Sequence, residues 1–133
     1  LKKEKLMYEY ILLFLIFAIA GWALDSAYRS ITERKFSTNT YLHFFAISYA
    51  IAGTLLVLLF KHTTFSFPTQ IILGGIGGTI IELIAGIFCE KILGKRYWNY
   101  SENLLNFHGH IDLLHTIYWF ALAALVHALI TRL

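Results

Sequence analysis

Two carboxylates sit where an apolar chain accommodates them least. Glu82 and Glu90 lie in a run dominated by Ile, Leu, Phe and Gly. Within that run Gly74, Gly78, Glu82, Gly86, Glu90 and Gly94 recur at a strict four-residue step. On a helix such a step draws one slowly drifting stripe. A carboxylate inside an apolar helix is costly unless it is paired or faces a polar cavity, so the pair marks an internal polar site. At the helical rise Glu82 sits about 12 Å deeper than Glu90. The glycines have a plainer use: Gly74 and Gly78 let a neighbouring helix approach closely.

Candidate partners for these carboxylates flank the run. Arg29 follows Asp25 by four residues. The two can pair on one helix face, or Arg29 can turn inward to neutralise Glu82 or Glu90. Beyond Glu90, a polar stretch brings Arg96, Asn99 and Asn106 within possible reach of the cluster as a lid. A third group reads His108-x-His110-x-Asp112-x-x-His115. Imidazole and carboxylate suit zinc, manganese or iron, and Asp112 and His115 share a helix face at i, i+3. The spacing matches no established zinc motif, however, and hydrogen-bonded histidines are the plainer expectation. The expected cofactor is therefore none, with a divalent metal ion held by His108, His110, Asp112 and His115 as the alternative. His127 lies about 18 Å along the helix from His115, too far to share a ligand with it. No Walker motif, nucleophile elbow or His-Glu-x-x-His occurs.

The elements that carry these residues follow from composition. The 133 residues are 58% hydrophobic and 14% charged, against roughly 45–50% and about 25% in soluble domains. That excess fits a membrane protein. A bilayer core takes about 20 mainly apolar residues per helix, and four segments approach this: residues 8–24, 43–60, 69–89 and 111–130. The expectation is an all-α integral membrane four-helix bundle forming a single transmembrane domain over residues 1–133. An interfacial polar and aromatic segment would join the third and fourth helices, since Tyr97, Trp98, Tyr100 and Phe107 stand there among Lys, Arg, Asn and Glu. Pro68 suits the first turn of the third helix. The first span has some features of a secretory signal, but three further spans and a pattern that continues through Asp25–Ser30 favour an ordinary span. The single cysteine, Cys89, allows no internal disulfide and reads as a small buried residue.

Four spans put both termini on one side. Five basic residues flank that side and six the other, so the positive-inside rule does not decide. Discounting Arg29 and Arg96 as site residues tips the balance toward cytoplasmic termini. Traced span by span, almost every ionisable residue inside or beside the helices falls near one membrane face. The net charge of +3 is scattered at segment ends, which gives no support to nucleic-acid binding.

Two blocks of sequence resemble a known family. The first is Gly21-Trp22-Ala23-Leu24-Asp25-Ser26-Ala27-Tyr28-Arg29-Ser30. The second carries Glu82, Gly86, Glu90, Gly94, Arg96, Trp98, Asn99, Tyr100 and Ser101, completed by Asn106, Gly109 and Ile111. Together they are similar to the ABC-transporter type IV permease family, also called CmpB-like. Asp25 stands where that family's pattern has Glu, and Asn99 where it has Asp. His110, Asp112 and His115 have no counterpart in the pattern, so the metal alternative gains nothing from it. The resemblance implies a membrane subunit of a transporter, and adds Tyr28, Trp98 and Tyr100 to the candidate substrate-binding set of Asp25, Arg29, Glu82, Glu90, Arg96, Asn99 and Asn106.

The resulting expectation is a small polytopic membrane protein with a partly buried Glu/Arg/His site near one membrane face. It would act as a transport-related membrane component. Its partners would be membrane lipid and either further copies of itself or a partner membrane or ATPase subunit. The alternative is a membrane-embedded enzyme or binding protein acting on a lipid or isoprenoid headgroup, with or without a metal. A third possibility is an assembly protein whose polar cluster fixes helix register.

Overall fold

The computed structural model describes residues 1–37 and 46–132, the last without its side chain. The described residues form four helices and no strand: α1 (Lys2–Glu33), α2 (Ile47–His62), α3 (Phe67–Lys91) and α4 (Leu113–Arg132). The all-α expectation holds. α1, α3 and α4 are long and apolar enough to cross a membrane. α2 is a shorter apolar helix of 16 residues. Residues 43–45 of the expected second span, His43 among them, lie outside the described residues.

Helix ends differ from the sequence expectation in physically informative ways. α1 runs on to Glu33, well past residue 24, and ends where Arg34 turns left-handed at φ 55°. Asp25 and Arg29 thus lie on the helix itself, as their pairing on one face requires. Pro68 occupies the first turn of α3 as expected. α4 starts at Leu113, two residues later than expected, because Asp112 serves as its cap. The Asp112 Oδ1 accepts the backbone N–H of His115 at 2.7 Å, satisfying a donor that the helix itself leaves open.

The chain divides into two compact units, Leu1–Thr54 and Leu55–Leu133, with the boundary inside α2. In the first, α1 and the start of α2 run antiparallel through small residues. Gly21 lies under the Tyr49 side chain and Gly53 under the Phe17 ring, closer than any Cβ would allow. Ala18 and Ala50 are fully buried, and the Ala46 N–H donates to the Ala18 carbonyl at 3.1 Å.

In the second unit, α3 and α4 form an antiparallel hairpin packed with the end of α2. Gly74 faces Leu56 and Ala123, Gly75 the Phe120 ring and Gly78 the Trp119 indole. The sequence reading of Gly74 and Gly78 as close-approach positions is therefore what this hairpin uses. Gly77, one residue away, faces open space. Leu56, Val57, Ala123 and Val126 fill the core beside them. Helix-bundle packing is thus present within each unit.

Candidate functional site

Glu82 sits nine residues before the end of α3, about 14 Å below it at the helical rise. It is only 7% exposed. Its Oε1 accepts from the Tyr100 hydroxyl at 3.0 Å, and its Oε2 accepts from the Trp119 indole N–H at 2.7 Å. Each donor comes from a different element, the segment after α3 and helix α4. Burying a carboxylate is tolerable only where such donors replace its water. Tyr100 carries the arrangement one step further: its ring stacks on His115 with centroids 3.9 Å apart and planes 8° from parallel. The His115 Nδ1 in turn lies 2.7 Å from Asp112 Oδ1.

Asp112 is the most buried carboxylate described, at 2% exposure. Besides the helix cap and His115, its Oδ2 accepts from the Asn103 amide at 2.6 Å. Four side chains, Asp112, His115, Tyr100 and Glu82, are therefore linked by successive short contacts, with Trp119 closing the far side of Glu82.

Nearer the end of α3, Glu90 forms a second centre. Its Oε2 is 2.9 Å from an Arg96 guanidinium nitrogen and 2.9 Å from His110 Nε2. Arg96 also donates to the His108 carbonyl at 2.7 Å. Burial pushes the proton affinity of His110 below the ordinary histidine value. Arg96 pushes in the same direction, Glu90 pulls back, and His108 adds to the lowering. A neutral imidazole that donates its Nε2–H to Glu90 fits this balance. Gly86 leaves the room His110 needs, since a Cβ there would come within 2.6 Å of His110 Nδ1.

The segment between α3 and α4 is a folded cap held largely by its asparagines. Asn106 donates to the carbonyls of Ser101 and Asn103 at 3.1 and 3.0 Å and accepts from the Gly109 N–H at 3.1 Å. Asn99 accepts from the Ser101 N–H at 3.0 Å and from Arg96 at 3.4 Å. Trp98 donates its indole N–H to the His110 carbonyl at 2.8 Å. Gly109 takes φ +74°, and a side chain there would meet Arg96 Nη1 at 2.7 Å, so both conformation and space require glycine.

These contacts sort the sequence candidates. Glu82 and Tyr100 meet directly, as do Glu90 and Arg96. Trp98, Asn99 and Asn106 stand in the cap's own hydrogen bonds. In the first unit Arg29 Nε donates to Asp25 Oδ2 at 2.9 Å, so the expected i, i+4 pair forms, with both side chains mostly buried. Tyr28 lies on the same helix, its carbonyl accepting from Thr32 at 3.0 Å.

The histidines of the metal alternative turn to separate partners. His110 turns to Glu90, His115 to Asp112, and His108 packs edge-on against Phe107. Among the described residues no three His, Cys, Asp or Glu side chains gather in a metal-holding group. Two residues of the Glu82 and Asp112 centres, Trp119 and Asn103, were not among the sequence candidates. The signal for Trp119 was its place four residues after His115 on an apolar helix, where an indole N–H needs an acceptor.

The sequence model of the family described as "Putative ABC-transporter type IV" matches residues 12–133. The chain belongs to that family. No curated protein and no solved structure matches it. The match covers Asp25 through Asn106 and the whole α3–cap–α4 unit, so both carboxylate centres lie within the family's sequence. Family membership and three apolar spanning helices together make this a membrane protein.

Proposed function

We propose that this protein is a membrane component of an ABC-type transport assembly, with the Glu82 centre as its internal polar site. The observation that carries this reading is the buried Glu82 carboxylate. Both of its oxygens are held by donors, about 14 Å from the end of a helix long enough to span the membrane. Intramembrane ionisable groups placed in this way commonly mark the route of a substrate or proton. Glu90 and Arg96 would guard the entrance to it from the cap side. Transport of this kind needs an energy source, which in an ABC-type assembly would be a partner ATPase. Self-association would add further helices to line a path.

The test is native mass spectrometry of the protein extracted gently from its own membrane, followed by assay of whatever assembly is found. The expected result is a stoichiometric ATP-hydrolysing partner, and slower coupled turnover in a Glu82→Gln variant that still assembles. A lone chain or homodimer without such a partner would remove the transport reading.

A second reading rests on the Asp112–His115 contact of 2.7 Å. A carboxylate that fixes one imidazole nitrogen orients the other for proton transfer. In that reading the protein would be a membrane enzyme or binding protein for a lipid or isoprenoid headgroup. A retained specific lipid in the same mass spectra, with no ATPase, would favour it.

A further inference from the structure

The α3–α4 hairpin is uneven, and the cap occupies the difference. Gly74 lies beside Ala123 and Gly78 beside Trp119. Continued at this register, the last turns of α3 rise past the start of α4 at Leu113. The cap packs against that overhang. Tyr100 reaches down to Glu82, and His110 lies against Gly86 and Glu90. The segment therefore folds back alongside α3 and does not project beyond it.

α4 is long and apolar enough to cross a membrane and opens directly after the polar cap, where Asn106, His110 and Asp112 end the apolar run. Its first turn thus lies at the boundary between acyl chains and headgroups. Leu104 is seated at this turn, because its carbonyl accepts the Leu113 N–H at 3.2 Å. Leu104 and Leu105 are each 73% exposed and Phe107 is 52% exposed. At the start of α4, to which the Leu104 carbonyl is bonded, Leu113, Leu114 and Ile117 are also exposed. The turn that presents them is held from within by Asn103 and Asn106. Leu105 takes φ +54°, a conformation that Asn or Gly adopts more readily. A turn built for water would use those residues there.

We propose that the cap is an interfacial lip, and that Leu104, Leu105 and Phe107 dock it into the lipid bilayer at acyl–headgroup depth. The polar edge of the same cap, with Ser101 and Glu102 exposed, faces water. The lipid-facing surface of α4 would then continue without a break across the cap, and the lid over Glu82 would be anchored in lipid.

The test uses the full chain reconstituted in vesicles of phosphatidylcholine and phosphatidylglycerol. In a Cys89→Ala background, single cysteines at Leu105 and, separately, at Glu102 carry an environment-sensitive fluorophore. The expected result is several-fold stronger quenching of the Leu105→Cys label by acyl-chain nitroxide lipids than by aqueous iodide, with the opposite order at Glu102→Cys. Iodide access at position 105 equal to that at 102 would overturn the proposal. So would shielding of position 105 from both quenchers, which would mean that a second copy or another protein covers the leucines. A Leu104→Cys label serves as an independent check, expected to behave like the label at 105.

Discussion

At the scale of single residues, the buried Glu82 carboxylate accepts from two donors, the Tyr100 hydroxyl and the Trp119 indole N–H. Trp119→Phe keeps an aromatic ring, though a smaller one, and removes the N–H, leaving Oε2 without that bond. The expected cost is about 1–3 kcal/mol of stability, the usual penalty for stranding a buried polar group. Unfolding in detergent measures it, and Tyr100→Phe should show a loss of the same order. A loss within error of zero for both would mean that Glu82 is held by something else. His110 gives a pH dependence with a definite sign. Its folded-state proton affinity is lowered from 6.5, mainly by burial. The unfolded chain therefore takes up the proton first as pH falls. The stability His110 contributes is complete above about 6.5 and is lost as pH drops below it. Hydrogen exchange of residues 92–112 should accelerate on that acid side. A His110→Gln variant, which keeps a donor for Glu90 but does not titrate there, should lose much of this acceleration.

At the scale of elements, the α3–α4 hairpin rests on glycines that act by absence of a side chain. Gly78→Ala would drive a methyl into the Trp119 indole, displacing the donor of Glu82 as well as the packing. The expected destabilisation is about 1–3 kcal/mol, typical of overpacking. Gly77→Ala, one residue along, meets nothing within 4 Å and should be neutral or slightly stabilising. Thermal unfolding of the two variants side by side separates packing from helix propensity. The four-residue step made Gly74 and Gly78 legible as packing positions, because helical geometry turns that step into one face. Gly75, which faces Phe120, was not legible this way, since only the partner helix decides how far around the cylinder the contact extends.

At the scale of the whole molecule, we propose that both termini face one side, the cytoplasm. Labelling of single cysteines near Lys3 and Thr131 in intact cells, again with Cys89 replaced, should find both shielded from an impermeant reagent and both reactive after permeabilisation. One terminus reactive in intact cells would change the number of crossings. Composition determined that the chain belongs in a membrane, because an apolar fraction this high has nowhere else to be buried. Hydropathy and helical periodicity located the spanning segments and singled out Glu82 and Glu90, since these are local properties of the chain. The tertiary structure decided what those carboxylates meet. Tyr100 lies 18 residues from Glu82 and Trp119 lies 37 away, separations at which no periodicity carries information. It also drew His110 to Glu90 and His115 to Asp112, giving residues that lie close in sequence separate partners. Spacing along a non-helical segment does not fix direction; the left-handed turns at Leu105, His108 and Gly109 do.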